Sequence, residues 1–307
     1  MTNFLNYFLH KFDPDNFTLV MTILVKNEAD IIEANIRTHA ALGVDAFVVM
    51  DNDSTDGTRE ILVKLQNEFE ILLIDEKGQY NQAKWMKQLA HIAKNNLKAD
   101  WVINNDADEF WLPANDMNLK ENLAFKGSVL TVNRYNMILD EACHDGNFFA
   151  STHYVENPVF YTKTTQLHIE KISMVLTKIG PKTIVNPNGL IGIRGGNHKA
   201  WHLANTHEYL FKKYDQIKKF DAINVYHYPF RSYEQFEKNI KNRKLLLESK
   251  KHIRMGPHYR RWVKLYNEGK LEEEFHERLC FKNTEIEVLK KYGILTEDNT
   301  IQKAIKQ

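Results

Sequence analysis

Apolar runs and apolar residues at helical spacing alternate along the first third of the chain. The runs are rich in β-branched residues and have almost no polar interruption, which is typical of strands covered on both faces. The predicted strands are 17–25, 44–50, 71–74 and 101–105. The predicted helices are 31–39, 61–69 and 82–97. Gly43 ends the first of these helices. This alternation predicts an α/β fold with a mostly parallel sheet flanked by helices.

Beyond Pro113 the apolar runs become shorter and are separated by polar loops. We predict further strands in the segments 129–132, 159–163, 172–178, 183–185 and 223–228. Of these, 159–163, 172–178 and 183–185 are expected to be antiparallel. Two connecting segments are predicted as a polar loop at 140–147 and a glycine-rich loop at 189–198.

Helical spacing returns at Ser232, which forms a capping-box pattern with Gln235. No internal repeat or low-complexity linker interrupts the chain. We therefore predict one α/β domain over 1–231, followed by a helical C-terminal extension over 232–307.

Composition sets only broad limits on function. The 307 residues are 43% hydrophobic and 26% charged with a net charge of +1, so the overall field selects neither nucleic acid nor membrane. Cys143 and Cys280 match no metal or redox spacing. The first residues do not resemble a secretory leader, and no apolar run approaches the ~18 residues that span a bilayer. We expect a soluble cytoplasmic protein, and peripheral attachment to the inner membrane face is compatible with this composition.

An acidic cluster follows the predicted strand 101–105. Asp106 and Asp108 are separated by one small residue, and Glu109 comes next. Such carboxylates repel one another and lose hydration unless a cation or hydrogen-bond donors compensate them. A divalent cation such as Mn²⁺ or Mg²⁺ takes carboxylate oxygens and can bridge to nucleotide phosphates. The alternative is a solvated acidic turn that caps a helix near Asp116.

Two other predicted strands end in groups that suit a nucleoside. Asn27 and Glu28 follow the first strand, and Asp51-Asn52-Asp53 follows the second. Their oxygens and amides can accept from or donate to a nucleobase edge. Parallel sheets bind ligands outside the carboxyl ends of their strands, so these groups and the acidic cluster are expected at one site. One residue of 54–56 is expected to cap the next helix, which gives Asp56 a structural role.

The second half supplies further candidate ligands. His227 ends a predicted strand, where its ring could reach the same cation. His198 lies in the glycine-rich loop and is a candidate ligand or phosphate contact. Lys182 and Arg194 are candidate partners for a diphosphate. The common alternative for each is an ordinary packed or surface role.

A basic tract occupies 238–264, where ten Lys or Arg residues accompany one acid, Glu248. Such a tract could bind anionic lipid, an acidic acceptor or nucleic acid. No nucleic-acid-binding motif accompanies it. A solvated helix face or a membrane-surface contact is therefore the preferred interpretation.

Together these motifs resemble glycosyltransferase family 2, whose members have the GT-A fold. The matching segments are Val25-Lys26-Asn27-Glu28, 51–58, Ala99-Asp100-Trp101, 106–110, Gly196-Asn197-His198 and 227–232. The resemblance extends over about 19–236. It implies transfer of a sugar with inversion from a nucleotide-diphosphate donor, most simply a UDP-sugar, assisted by Mn²⁺ or Mg²⁺.

The resemblance also implies roles for single residues. Asn27, Glu28 and Asp51 would hold the nucleoside, Asp106 would contact ribose or metal, and Asp108 would ligate the metal. The nucleotide and metal half would be 17–113, and the acceptor half 114–231.

The acceptor hydroxyl loses its proton as it attacks, so a carboxylate base is expected near the site. The candidates in the polar loop are Asp140, Glu141 and Asp145. Glu156 and Glu170 are weaker candidates because they lie outside that loop. The acceptor itself is predicted to be a glycan or glycolipid of bacterial surface polysaccharide or lipooligosaccharide synthesis.

Two alternatives remain open from the sequence. A sugar nucleotidyltransferase would also use carboxylates and a metal, but it needs a glycine-rich basic loop after the first strand, and 26–30 is acidic without glycine. A non-catalytic module could bind anions or membranes through the basic tract. The first alternative shares the acidic site, and the second does not need it.

Overall fold

The structure is a computed structural model that describes residues 11–77, 81–141, 143, 146–159, 172–205, 216–217, 219–249 and 255–305. The chain forms two compact units. Unit 1 consists of Met1–Arg134, Gly180–Tyr226 and Ala304–Gln307. Unit 2 consists of Tyr135–Ile179 and His227–Lys303. The functional division predicted at 231/232 does not coincide with these borders and stays a prediction.

The strands begin and end close to the predicted positions in the first third of the chain. In order they are β1 (Leu19–Val25), β2 (Ala46–Asp51), β3 (Ile71–Asp75), β4 (Trp101–Asp106), β5 (Glu109–Pro113), β6 (Val129–Asn136), β7 (Leu139–Asp140), β8 (His153–Val155), β9 (Lys182–Val185), β10 (Leu190–Ile193), β11 (Ala200–His202), β12 (Gln216–Ile217), β13 (Ile223–His227), β14 (Cys280–Phe281) and β15 (Leu295–Glu297).

The α-helices of the described residues alternate with β1 to β4 and then return after β13. In order they are α1 (Ile32–Ala41), α2 (Thr58–Leu65), α3 (Gln82–Leu97), α4 (Leu119–Asn122), α5 (Tyr233–Ser249), α6 (Pro257–Asn267), α7 (Leu271–Arg278), α8 (Asn283–Lys291) and α9 (Thr300–Ile305). The helices after β13 confirm that the C-terminal part of the chain is largely helical.

The main sheet has the strand order β3-β2-β1-β4-β9-β6-β13-β5, and β12 pairs with β6. Neighbours among β3, β2, β1 and β4 are parallel, because each of the helices α1, α2 and α3 returns the chain to the same edge. β9 runs antiparallel to both β4 and β6. The predicted fold class, an α/β fold with a mostly parallel sheet flanked by helices, is confirmed. The antiparallel direction predicted for segment 183–185 is also confirmed.

Helix α3 covers one face of the parallel strands. Its buried residues include Met86, Leu89 and Ala93, which belong to the same apolar cluster as Val20 of β1 and Val102 of β4. Every residue of β1 and β2 is buried, as expected for strands covered on both faces. This core fixes the carboxyl ends of β1, β2 and β4, from which the polar loops emerge.

Several predictions beyond Pro113 are wrong. The segment 172–178 holds a turn of 3₁₀ helix at Met174–Leu176 instead of a strand. Ser173 explains the difference, because its hydroxyl accepts from the Val175 N–H at 3.3 Å and starts a helical turn. The predicted strand 159–163 lies outside the described residues except for Val159.

The glycine-rich segment 189–198 is partly regular, since it contains β10, which pairs antiparallel with β11. Strand β5 was not predicted, because it begins directly after the acidic turn with the charged residue Glu109. Asp140, expected in a polar loop, ends the short strand β7, which pairs in parallel with β14.

Unit 2 contains an aromatic cluster formed by its helices. Phe236 of α5 meets Trp262 of α6 edge-on, with ring centroids 5.1 Å apart, and lies 5.6 Å from Phe275 of α7. The predicted cap at Ser232 is confirmed, since its hydroxyl accepts from the Gln235 N–H at 3.1 Å. These contacts give the C-terminal helices their own apolar core.

Cations of the basic tract 238–264 have partners within the chain. Lys241 binds Glu237 at 2.8 Å, and Arg261 binds Glu274 at 2.7 Å. Other tract cations with an acid or aromatic partner are Arg243, Lys244 and Lys264. Lys250, Lys251 and Arg254 lie outside the described residues. These pairings favour the solvated-face interpretation of the tract, because a paired cation has less charge to offer a surface.

Across the part of the chain that the structure describes, none of the helices has the length and apolar content needed to cross a membrane.

Candidate active site

The carboxyl ends of β2, β1 and β4 lie side by side. Val25 of β1 pairs with Asp51 of β2, and Leu24 of β1 pairs with Asp106 of β4. The two aspartates therefore end their strands at the same level, on either side of β1. Asp51 is almost fully buried, whereas the Asp106 side chain is 26% exposed. The strand ends that the sequence singled out form one edge of the sheet.

The loop after β1 is bound to the loop after β2. Asn27 adopts a positive φ of 59°, and its side-chain oxygen accepts from the Thr55 N–H at 2.8 Å. Its own N–H donates to the Ser54 hydroxyl at 2.9 Å. The Glu28 N–H donates to the Thr58 hydroxyl at 2.8 Å. The backbone of the predicted nucleoside-binding residues is thus held in place before any ligand binds.

Side chains within the loop after β2 stabilise its turn. Asp51 accepts from both the N–H and the hydroxyl of Ser54, at 3.1 and 2.5 Å. Asp53 is exposed and has a positive φ of 57°. Asp56 accepts from the Thr58 hydroxyl at 2.6 Å, in agreement with its predicted structural role. Gly57, in a left-handed conformation, occupies the cap position of α2, and Asp56 accepts from the N–H of Thr58, the first residue of that helix, at 3.1 Å. A side chain of 54–56 therefore satisfies an N–H at the start of α2, as predicted.

A tight turn joins β4 to β5 and carries the acidic cluster. Asp106 is the last residue of β4, Asp108 is half-buried in the turn, and Glu109 is the first residue of β5. The Asn35 amide of α1 donates to the carbonyls of Ala107 and Glu109, both at 2.9 Å. Asn118 caps α4, so the alternative in which the acids cap that helix is wrong.

Asn35 belongs to a buried polar network beneath the turn. Its side-chain oxygen accepts from the Asn105 amide at 3.0 Å, and Asn105 accepts in turn from the Trp111 indole N–H at 2.8 Å. The Trp111 backbone N–H donates to His39 Nε2 at 2.9 Å, so Nδ1 carries the ring proton and donates to the Asn35 carbonyl at 2.8 Å. Burial lowers the pKa of His39 to about 4, which keeps its ring neutral at pH 7.

A buried lysine lies between two of the carboxylates. Lys182 of β9 is 0% exposed, and its ammonium binds the Asp106 carboxylate and lies 2.9 Å from Glu109 Oε1. Glu109 is also fully buried and receives a second cation, Arg134 Nη1, at 2.6 Å. Burial alone would lower the pKa of Lys182, but the charges of Asp106 and Glu109 outweigh it and the pKa is raised. Lys182 is therefore a permanent cation within the site.

Gln82 links Asp106 to the glycine-rich segment. Its amide donates to Asp106 Oδ1 at 3.1 Å, and its oxygen accepts from the Gly196 N–H at 2.9 Å. His198 donates from Nδ1 to the Pro181 carbonyl at 2.8 Å, and burial lowers its pKa. When the neutral His198 ring carries its proton on Nδ1, Nε2 is a hydrogen-bond acceptor. Predicted residue Arg194 is exposed.

The acidic cluster has the chemistry of a hard-cation site. Carboxylate oxygens of Asp108 and Glu109 lie within 4.8 Å of each other, close enough for both to face one ion. Oxygen donors suit Mg²⁺ and Mn²⁺, and thiol or multiple imidazole ligands are not required. The buried Oε2 of Glu109 has no hydrogen-bond partner among the described residues. The residues present therefore fit a divalent cation near Asp108.

The motifs at this edge agree with a family comparison. The model of glycosyl transferase family 2 matches residues 21–176, about half of the chain. The chain belongs to glycosyl transferase family 2. The family predicted from the motifs is confirmed, and the matched residues include β1 from Met21 onward, β2 and β4, with the polar ends of these strands.

Two solved structures are similar to this family 2 chain. TarS of S. aureus, solved as residues 1–349 with UDP, has 16% identity and a TM-score of 0.42 over 73% of this chain and 64% of TarS. Glucosyl-3-phosphoglycerate synthase from Mycobacterium tuberculosis, solved with Mn²⁺, UDP and phosphoglyceric acid, has 13% identity and a TM-score of 0.37, covering 72% and 74%. The chain thus spans less than two thirds of that TarS fragment. No curated relative matches the chain.

His227 and the candidate bases lie in unit 2. His227 ends β13, and its Nδ1 is 2.8 Å from the Asn136 side-chain oxygen. Asp140 is buried, accepts from the Cys143 thiol at 3.4 Å and lies 3.6 Å from His153 Nδ1. The remaining base candidates differ in environment: Glu141 is exposed, Glu156 is exposed and bonded to Thr296, and Asp145 and Glu170 lie outside the described residues.

Sequence reasoning missed four residues of this family 2 site: Gln82, Asn35, Arg134 and the buried role of Glu109. Arg134 gave no clear signal, because it lies beyond the predicted strand 129–132, between Asn133 and Tyr135. Asn35 gave a weak signal, since it lies on the apolar side of a predicted helix. Gln82 gave none. Lys182 was expected to bind a diphosphate. Its fully buried ammonium instead binds the carboxylates of Asp106 and Glu109, so it acts on a ligand indirectly, by its effect on Asp106.

Proposed function

We propose that this family 2 protein is a metal-dependent, inverting glycosyltransferase that transfers a sugar from a nucleotide-diphosphate donor, a UDP-sugar in the simplest case. One observation carries the proposal: the polar ends of β1, β2 and β4 meet at one edge, with Asp51 and Asp106 on either side of β1. Ligands of parallel α/β sheets bind at such an edge. Family membership supplies the reaction class.

The donor would lie across the two rigid loops. Asn27, Glu28, Asp51 and Asp53 would hold the nucleoside, since their groups can pair with a base edge or ribose hydroxyls. Asp106 would accept from ribose or take part in the metal site. The loop contacts already made around Asn27 support this assignment, because a preorganised site does not have to order its loops when it binds.

Asp108 would hold the divalent cation, with Asp106 and His227 as further ligands. When bound, such a cation neutralises the diphosphate and makes it a better leaving group. The carboxylates of the turn suit this task because the peptide backbone around them is fixed by Asn35. The backbone that carries these carboxylates is therefore held by the protein itself.

The acceptor hydroxyl would attack the anomeric carbon from the face opposite the diphosphate. A bond forms from the acceptor oxygen to that carbon, the bond to the diphosphate oxygen breaks, and the hydroxyl proton passes to a carboxylate base. Asp140, Glu141 and Asp145 remain the proposed bases. Of these, Glu141 is exposed, whereas Asp140 is buried against Cys143.

A glycan or glycolipid of bacterial surface polysaccharide or lipooligosaccharide synthesis is the proposed acceptor. A cytoplasmic location, with peripheral contact at the inner membrane face, would suit a glycolipid. Sedimentation with anionic vesicles tests this part of the proposal. If no protein sediments with the vesicles at low salt, a glycan acceptor in solution is favoured instead.

Binding of UDP in the presence of Mn²⁺ tests the central proposal. Calorimetry on the purified chain should give measurable affinity, and a panel of UDP-sugars should show slow hydrolysis that depends on Mn²⁺. Asp108→Ala should weaken UDP–Mn²⁺ binding by roughly 100-fold without unfolding the protein. Asp116→Ala is the matched control, because Asp116 is an exposed aspartate beyond β5.

Other outcomes would point elsewhere. If the wild-type protein binds no nucleotide diphosphate with Mn²⁺ present, the proposal is refuted. Release of pyrophosphate from UTP and a sugar phosphate would indicate a nucleotidyltransferase. A protein whose activity survives loss of Asp108 but not neutralisation of the basic tract would be the non-catalytic binding module.

A further inference from the structure

The Lys182 ammonium lies between two carboxylates of the acidic turn, Asp106 and Glu109, and offsets their negative charge. Its side chain is 0% exposed, its ammonium binds Asp106, and Glu109 Oε1 lies 2.9 Å away. Lysine is almost never fully buried unless it is paired. The protein therefore holds a positive charge of its own inside the carboxylate cluster.

Both oxygens of Asp106 are engaged without any ligand. Oδ2 accepts from the Lys182 ammonium, and Oδ1 accepts from the Gln82 amide at 3.1 Å. Gln82 is held by its second bond to the Gly196 N–H. A metal ion that approaches Asp106 has to share or displace these donors.

Lys182 and Arg134 offset negative charge in the cluster. Among the described residues, Lys182 binds Asp106 and Glu109, and Arg134 binds Glu109. These two carboxylates therefore already have cations of the protein beside them. A free divalent cation would add positive charge to this partly neutralised cluster, whereas a cation that arrives with a diphosphate brings negative charge with it. In a partly buried site such an excess charge is poorly screened.

We propose, resting on the glycosyltransferase function above, that Lys182 is a built-in counter-cation that keeps the affinity for a free divalent cation low, so that the cation binds together with the diphosphate. Lys182 is a positioning residue in this scheme: it orients Asp106 and balances its charge, and it touches neither donor nor acceptor. Loss of its charge would make the cluster a stronger site for the metal alone.

Binding of Mn²⁺ in the absence of nucleotide tests this role. The signal of free hydrated Mn²⁺ in electron paramagnetic resonance gives the affinity of the full chain. Lys182→Gln keeps N–H donors but removes the charge, and it should bind Mn²⁺ roughly tenfold more tightly than the wild type. Lys182→Arg keeps the charge and should bind as weakly as the wild type. Equal affinities for Lys182→Gln and the wild type would overturn the proposal.

A second neutral variant guards against misfolding, and a measurement on the wild type gives an independent test. Lys182→Met keeps an unbranched side chain that is one atom shorter than lysine, and near-ultraviolet circular dichroism selects the neutral variant that folds. In the wild type, UDP should tighten Mn²⁺ binding by roughly tenfold or more, and this coupling should shrink in the neutral variant. Wild-type Mn²⁺ binding that UDP leaves unchanged would also overturn the proposal.

Failure of this inference differs from failure of the proposed function. Wild-type protein that binds no UDP even with Mn²⁺ present refutes the glycosyltransferase site. Wild-type protein that binds UDP with Mn²⁺, but whose affinity for Mn²⁺ alone is independent of the Lys182 charge, refutes only the counter-cation.

Discussion

Asn35 illustrates how a single buried side chain determines the shape of the candidate site. Its amide bonds to the carbonyls of Ala107 and Glu109, and its oxygen receives the Asn105 amide. It is completely buried on α1. The acidic turn is thus fastened to a helix that lies outside the motif itself. Any ligand bound by the turn depends on this contact.

Asn35→Ala should lower the free energy of unfolding by about 3 kcal/mol, because it leaves buried carbonyl groups without donors. It should also weaken UDP–Mn²⁺ binding, since the turn is no longer fixed. Urea unfolding and calorimetry measure the two effects. Asn96→Ala, on the exposed side of α3, is the control and should change stability by less than about 0.5 kcal/mol. Equal stability of the two variants would contradict the role of Asn35.

The backbone of the glycine-rich segment 189–198 also depends on a single side chain, the His198 ring. Gly196 has a φ of 78°, and a Cβ there would lie 2.6 Å from His198 Nε2. Gly180 is crowded by the same ring, at 3.0 Å from Nδ1. The two glycines therefore make room for the imidazole, which holds its position through the Pro181 carbonyl.

Gly196→Ala should displace the His198 ring and strain the backbone, which costs about 1–3 kcal/mol. Because the Gly196 N–H also binds Gln82, UDP–Mn²⁺ affinity should fall as well. Thermal unfolding and calorimetry are the measurements. Gly195→Ala is the matched control, since Gly195 has no positive φ and its nearest neighbour to an added Cβ is Gln82 Oε1 at 3.9 Å. If both variants behave alike, steric crowding at His198 is not what Gly196 provides.

Buried histidines make the stability of the whole molecule depend on pH. Burial is the main cause that lowers the pKa of His39, His202 and His258 to about 4 each, against about 6.5 in an unfolded chain. Between these two values the unfolded chain binds more protons than the folded one. Stability from these residues is therefore present above pH 6.5 and is lost as the pH falls towards 4.

At pH 5 the fully buried His39 and His202 should each have lost about 2 kcal/mol of stabilisation relative to pH 8. Urea unfolding at pH 8 and pH 5 measures this loss. His258→Phe should flatten the pH dependence, because the ring already packs on Trp262 with centroids 5.2 Å apart. His276→Phe is the control at an exposed position. Unfolding midpoints that do not change between the two pH values would contradict the prediction.

The sequence determined the elements that form by local rules. The apolar runs of β1, β2 and β4, the helical spacing of α3 and the stop at Gly43 were enough to predict a parallel α/β sheet. The polar groups at the ends of these strands were visible as motifs, and they identified the family. Parallel strands bring their carboxyl ends to one edge, so even the grouping of Asp51 and Asp106 followed from the order of elements.

The tertiary structure alone decided which cations and amides surround those motifs. Lys182 and Arg134 lie on strands far along the chain, and only the antiparallel insertion of β9 between β4 and β6 brings Lys182 to Asp106. Long-range pairings of this kind have no local signature, because spacing within a segment does not encode its neighbour in the sheet. The burial of Glu109, the support of the turn by Asn35 and the charge balance around Asp106 all follow from that packing.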